Sequence, residues 1–465
     1  MSSTRQAKEF RFVDYQISSD RSSISFNYST DDFHGNILEF CEVLDLNGIK
    51  IPSEMDGDAE LAHILQGVHI ALGINYYKPF IPKNIILPYE LNESLATFWK
   101  EVYKNGLGEF CYLNNIDPKT IGNFQTNAIE VLADDTGDFR PQEDQLKVLT
   151  GIGGGKDSLV AVEIIKGLPS VKQSGFICES ISTNNPLRRK LAENIGLTTA
   201  VFTRIPDKKL EEIRSGGEAY RGHTPASVII AWAGVLCSKI LGSNYFVVAN
   251  ENSSNEANVE WMGHSINHQW TKTLAFERKL SSVLRNQGIS VGYFSIVRPL
   301  NELLISQLFV SLGKRYFSTF FSCNKGLGHK TGLWCGKCAK CASSTLLLAP
   351  FLEIDQLTTI IGRNMLDDKS LIGLFEDLLG FGSMKPFDCV CTYDEALVII
   401  KSLSTKADYK DLAVVRSLSH RIEQEDIDWQ EKINAVYKMN EGDLPSLFEQ
   451  KIQSLFVELE KHKVL

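Results

Sequence analysis

Nowhere in these 465 residues does an apolar run reach the roughly 18 residues that a membrane-spanning helix needs. The polar opening, Met1 to Glu9, lacks the apolar stretch of a secretory signal, so the expected compartment is the cytoplasm. No basic excess is present either: 48 Lys and Arg stand against 57 Asp and Glu, a net charge of −9. That balance argues against nucleic acid as a partner. Ten cysteines are too dilute over this length for a disulfide scaffold, and four of them share one stretch with metal-like spacing. A Walker loop is also missing, because Asp157 separates Lys156 from Ser158, and so is a dinucleotide fingerprint.

What remains is a chain of ordinary globular composition, too long for one hydrophobic core, so two or three domains are expected. Residues 9 to 44 alternate, with Phe10, Phe12, Ile24, Phe26 and Tyr28 on one face, and read as a β-hairpin or small meander. A mostly apolar helix then runs from Glu60 until Gly73 ends it, and a second starts with Asn92 as N-cap. Between them the aromatic segment Gly73 to Phe80 reads as a packed loop. Around 133–144 the chain turns polar and loses periodicity, which marks a boundary. The expected organisation is an N-terminal α+β domain over 1–140 that binds substrate, a nucleotide domain over 141–350 with the four-cysteine site at its end, and a helical region over 351–465.

The organising stretch is Leu146 to Ile165: a buried strand, then Gly153, Gly154 and Gly155, then Lys156, Asp157 and Ser158 opening a helix. Glycine backbone approaches an anion closely, and the new helix directs its N–H groups at it, so a phosphate belongs there. Ser158 can donate to a phosphate oxygen and Asp157 can hold Mg²⁺. Strands and helices alternate from here to Val297, implying a doubly wound parallel sheet. Ligands bind such sheets beyond the carboxyl ends of the strands. That rule gathers Glu179 to Ser182, Gly222-His223-Thr224-Pro225 and Asn250 to Glu256 beside the glycines. Thr224 is expected to cap the helix after it.

His264 and His268 fall in a stretch, Trp261 to Trp270, read as helical, which would put both on one face. HExxH is absent there. Such a pair is more often a packing or surface feature; proton transfer or substrate contact is the main functional alternative, ahead of metal binding. Cys323, Cys335, Cys338 and Cys341 can close a tetrahedral Zn²⁺ shell; an iron–sulfur cluster and plain buried thiols stay open. Cys389 lies in a Pro-containing loop beside Lys385, either as a connection or as a reactive thiol.

Gly154-Gly155-Lys156-Asp157-Ser158 resembles the PP-loop of the ATP pyrophosphatases, with Gly153 where that motif has Ser. The resemblance implies ATP cleaved to AMP and diphosphate, with Lys156 and the loops of Gly222, His223, Thr224, Asn250 and Glu251 around the nucleotide. From 145 to 345 the order of elements is similar to that of 7-cyano-7-deazaguanine synthases, which implies a ligase or nucleobase-modifying enzyme as one alternative function; a nucleotide-binding regulator without turnover is another. Most of the chain resembles the UDP-N-acetylmuramoyl-L-alanyl-L-glutamate epimerase family, through Ala71 to Lys78, Gly153 to Ser158, Gly222 to Pro225, Asn267-His268-Gln269, the Cys335 to Cys341 run and Lys385 to Val390. Asp388 and Cys391 depart from the pattern, standing where Glu and Gly are expected. This resemblance implies a cytoplasmic, ATP- and Mg²⁺-dependent isomerase of peptidoglycan precursor synthesis, acting on a UDP-linked muramoyl dipeptide. Its acid and base would come from His264, His268 and Cys389.

Overall fold

In the computed structural model, which describes residues 5–125, 145–181, 186–323, 325 and 334–463, one nine-stranded sheet runs through the molecule. The polar boundary stretch at 133–144 and Ser182 of the loop after Glu179 lie outside the described residues.

The amino-terminal part is a meander, β1 (Glu9–Ile17), β2 (Ser23–Asp31) and β3 (Ile37–Asp45), followed by α1 (Ala59–Tyr77), β4 (Asn84–Ile86), α2 (Glu93–Gly106) and α3 (Gly108–Leu113). Asn92 caps α2 through the Leu95 amide, as expected. Gly73 does not end α1. The helix continues to Tyr77 because Gly73 serves packing: a Cβ there would lie 2.3 Å from the Phe12 ring. The predicted aromatic loop is therefore mostly the last turn of α1.

Next come β5 (Leu146–Gly151), α4 (Lys156–Lys166), β6 (Val171–Ser180), α5 (Pro186–Ile195), β7 (Thr199–Ile205), α6 (Lys209–Ser215), α7 (Ala226–Leu241) and β8 (Tyr245–Val248). A short hairpin, β9 (Val259–Trp261) and β10 (His264–Ile266), precedes α8 (Leu274–Asn286), β11 (Gly292–Ser295) and α9 (Glu302–Leu312). The order across the sheet is β11-β8-β5-β6-β7-β3-β2-β1-β4. Pairs from β11 to β7 are all parallel, and β3 then joins β7 antiparallel. The meander thus extends the sheet that carries the glycine turn. At this joint the buried Glu42 carboxylate pairs with Arg204 at 2.7 Å.

β5 lies between β6 and β8, so the chain leaves it to one side and later returns on the other. That reversal opens a crevice at the carboxyl end of β5. One face of the sheet packs on α1 and α7, where Trp232 fits over Gly67. The other packs on α4 and α9 and on the carboxyl-terminal helices. These are α10 (Ala339–Leu348), α11 (Ile354–Ile361), α12 (Ile372–Leu379), α13 (Tyr393–Leu403), α14 (Ala413–Ile422), α15 (Trp429–Val436) and α16 (Ser446–Glu460). The helical reading of the last hundred residues agrees with this layer.

Candidate active site

The glycine turn closes β5 and opens α4. Gly154 has φ +104°, and a Cβ on it would meet the Phe321 ring at 2.8 Å, while one on Gly155 would meet Ser322 Oγ at 2.8 Å. Only glycine passes under this segment. A Cβ on Gly153 would meet nothing within 4 Å, because that residue faces a cavity of about 410 Å³. The cavity walls include Asp157, Ser158, Arg188, Asn250, Lys272, Lys340 and Cys389. A larger hollow of about 640 Å³ starts at Leu146, Tyr245 and Gly292, the amino ends of β5, β8 and β11, where parallel sheets of this kind do not hold ligands.

Ser158 Oγ donates to the Gly155 carbonyl at 2.9 Å. Lys156 is turned inward instead, its Nζ 2.5 Å from Asp157 and 2.7 Å from the fully buried Glu302. Asn250 lines the cavity and is fixed by Ser295, whose Oγ accepts from its amide and donates to its carbonyl. Glu251 is buried behind it, where burial and the Glu302 charge raise its carboxyl above the usual range.

Gly222, His223 and Thr224 are held by Lys78, whose Nζ donates to the Gly222 and His223 carbonyls and to Thr224 Oγ1. Thr224 therefore does not cap α7, which starts behind Pro225 with no side-chain cap. Burial, with Arg214 adding to it, brings the Lys78 amine down to about 7 despite Glu109. Of this stretch, the cavity wall includes the following Ala226 and Ser227, whereas His223 belongs to a neighbouring cluster.

That cluster gathers side chains from four parts of the chain. His268 Nδ1 contacts the Glu109 carboxylate of α3, the His223 ring centroid lies 4.4 Å from that of His268, and Lys272 donates to Cys389 Sγ at 3.2 Å. Ligand atoms of His268, Asp388 and Cys389 lie within 4.8 Å of one another. Asn258 ties the parts together: its Oδ1 accepts from the His268 amide and its Nδ2 donates to the Pro386 carbonyl, both at 2.8 Å. Arg298, fully buried, pairs with Glu277 and bonds the carbonyls of Glu251 and Lys272.

The charges of this cluster are set by their neighbours. Burial alone would raise the Cys389 thiol, but Lys272, the His268 hydrogen bond and Lys340 outweigh it and lower it below the ordinary thiol value. Burial likewise opposes charge on His268, yet Cys389 and Glu109 bring it up to about 9. His223 falls to about 2 through burial and the positive His268, Lys78 and Lys272, so it stays neutral. Cys389 and His268 thus favour each other's charged forms, thiolate and imidazolium.

Residues 261–269 are not helical. A helix would have aligned His264 with His268; the β9–β10 hairpin separates them instead, and His264 Nε2 lies 3.8 Å from Asp117. Alternating Val259, Trp261, His264 and Ile266 around the tight Met262-Gly263 turn was the signal for a hairpin, with both turn residues at positive φ. Glu109 and Lys272 carried no sequence signal, since each sits alone in an otherwise apolar or amphipathic element.

The four clustered cysteines meet as read. Sγ separations are 3.8 Å for Cys323 and Cys338, 3.7 Å for Cys335 and Cys341, and 3.5 Å for Cys338 and Cys341. Sulfurs held about 2.3 Å from one tetrahedral ion lie ~3.8 Å apart, whereas a disulfide would bring two to ~2 Å. An iron–sulfur cluster puts several atoms between its ligands, so the set fits a single ion.

Matches to known families span both halves of the chain: residues 1–296 match the MurL N-terminal domain and residues 319–433 the MurL C-terminal domain. A Micromonospora protein named UDP-N-acetyl-alpha-D-muramoyl-L-alanyl-L-glutamate epimerase is 31% identical over 427 residues, 89% of this chain and 91% of its own. Proteins of the same name from Salinispora tropica and Xanthomonas oryzae pv. oryzae are also 31% identical, over 89% and 88% of this chain and 89% of each relative. With both halves matched and these relatives covered nearly end to end, the chain belongs to the MurL family of UDP-N-acetyl-alpha-D-muramoyl-L-alanyl-L-glutamate epimerases.

Proposed function

We propose that this chain inverts the terminal L-glutamate of UDP-N-acetylmuramoyl-L-alanyl-L-glutamate to D-glutamate, using ATP to activate the carboxyl group beside the inverted carbon. The names of the relatives support the substrate. The carrying observation for the chemistry is that one cavity joins the glycine turn to Cys389 and Lys272, so an activated carboxyl and a proton-transfer group fit one chamber. This reading places the chain in the PP-loop superfamily and in cytoplasmic peptidoglycan precursor synthesis. It also assigns substrate binding to the amino-terminal part, which supplies Glu109.

A carboxylate beside Cα resists loss of the α-proton, because the carbanion adds charge to a group already negative. In the proposed sequence a carboxylate oxygen attacks the α-phosphorus of ATP and diphosphate leaves. The resulting acyl-adenylate is neutral at the carbonyl and lets an enolate form. Returning the proton to the opposite face inverts the centre, and water then releases AMP. Gly153 to Ser158 hold the phosphates, and Asp157 holds Mg²⁺, which offsets phosphate charge when bound. The four cysteines hold a structural Zn²⁺ whose closed shell leaves no position for water.

Cys389 as thiolate is the base, and Glu109 and Lys272 fix the charges around it. An acid and a base on opposite faces of one carbon stand roughly 6 Å apart, about twice hydrogen-bond reach. His268 and Cys389 are too close for that, so they serve one face as a unit. Incubation with α-labelled ATP, Mg²⁺ and the L-glutamate substrate in D₂O should give AMP, diphosphate and product with deuterium at Cα. Labelled ADP, or AMP formed while glutamate keeps its proton and L configuration, would overturn the reading, and AMP formation dependent on added ammonia would mark a ligase.

A further inference from the structure

Two separate contacts connect the four-cysteine site to the glycine turn. Just before Cys323, the Phe321 amide donates to the Gly154 carbonyl at 3.0 Å, the Phe321 ring covers Gly154 and Ser322 covers Gly155. Between Cys338 and Cys341, in the first turn of α10, Lys340 reaches the cavity wall beside Gly153, Asp157 and Ser158. The charges acting on it most strongly are those of Glu302, Cys389, Asp157 and Glu251. The two neighbouring lysines are both engaged, Lys156 by Asp157 and Glu302 and Lys272 by Cys389. Lys340 has no hydrogen-bond or ion-pair partner among the described residues. Lys337, in the same cysteine run, is exposed.

A half-buried ammonium that lines a cavity with no acceptor in contact is better satisfied when a ligand supplies one. The acceptor must be anionic and must lie over the glycine turn, where backbone amides already favour a phosphate. We infer that Lys340 is a binding residue for the phosphate chain of the nucleotide, and that the four-cysteine site, by fixing both Lys340 and the Phe321-Ser322 cover, is the positioning element of the nucleotide site. The inference rests on ATP binding at Gly153 to Ser158. It gives the metal site a consequence beyond folding: an ion bound by these thiolates holds the two contacts in register.

The test is direct binding of a non-cleavable α,β-methylene ATP analogue with Mg²⁺ to the full chain, by calorimetry, with metal content measured on the same samples. Lys340→Gln should keep its metal and melt cooperatively, yet bind at least about tenfold more weakly, the scale of one charged hydrogen bond. Lys340→Arg should recover most of the loss, and Lys337→Gln should match the parent. Cys338→Ser should lose the metal and weaken binding by a similar factor. Parent-like affinity in Lys340→Gln overturns the assignment of Lys340, and parent-like affinity in a metal-free, folded Cys338→Ser overturns the coupling. A parent that does not bind the analogue overturns the nucleotide reading and this inference with it, whereas parental binding with an unaffected Lys340→Gln overturns this inference alone.

Discussion

The ammonium of Lys272 donates to the sulfur of Cys389 at 3.2 Å, and through it a thiol of the last hundred residues becomes part of a site built mainly by the parallel sheet. With His268 on the same sulfur, the thiolate is favoured. Activity should therefore rise through the lowered Cys389 value and fall as His268 loses its proton near 9. On the acid side the thiol cannot accept a proton; above about 9 the thiolate loses its imidazolium partner. A pH profile of epimerisation at saturating ATP checks this, and a flat profile from 8 to 10 would contradict it.

Cys389→Ser keeps the shape of the side chain and removes an acidity that a hydroxyl cannot match. Loss of a general base reduces rate by roughly 10²–10⁴-fold. Deuterium entry at Cα should drop by that order, while AMP formation in the presence of substrate persists. If both fall together, Cys389 acts in activation and not in proton transfer.

Much of this architecture was legible in the sequence, because the signals that fix it are local. The strand–glycine–helix junction at Leu146 to Ile165, the Asn92 cap and the run from Cys335 to Cys341 each depend on residues close in the chain. Two of the readings that failed involved long-range packing, while the helix read over 261–270 missed a local turn at Met262-Gly263. Gly73 looks like a stop signal until Phe12, 61 residues earlier in the sequence, is seen to need the space. Thr224 looks like a cap until Lys78 takes its hydroxyl. The cluster was half visible: His268 and Cys389 stood in quotable motifs, but Glu109 sits on a six-residue helix with nothing around it to mark it.

The cysteine set predicts about one Zn²⁺ per chain by elemental analysis. Structural zinc contributes to folding directly, so prolonged chelation should lower the melting temperature. Substoichiometric metal with unchanged melting would leave the thiols as packing only.

Gly153 and Gly154 should separate binding from folding. Gly154→Ala places a side chain at φ +104° against the Phe321 ring, a strain on the order of 1–3 kcal/mol, and should lower both stability and nucleotide affinity. Gly153→Ala meets no protein atom within 4 Å, so its melting temperature should stay at the parental value and any change should appear in the nucleotide. Equal destabilisation by the two would contradict the open space beside Gly153.

Glu109→Gln tests how the amino-terminal part enters the chemistry. The groups facing His268 include Glu109, Cys389, Asp388 and the neutral His223, so removing the Glu109 charge takes away one of the two named interactions, with Cys389, that hold the imidazolium against the effect of burial. Its value should fall from about 9, and the alkaline limb of the rate profile should move to lower pH by the same amount. The sign for stability follows. A folded value above that of free imidazole, ~6.5, contributes stability that is fully present below ~6.5 and lost as pH rises through about 9. The variant should therefore lose stability most in acid and little above pH 9. Imidazole NMR titration and melting at pH 6 and pH 9.5 read the two effects separately. A purely structural Glu109 would lower the melting temperature equally at both values and leave the position of the alkaline limb unchanged.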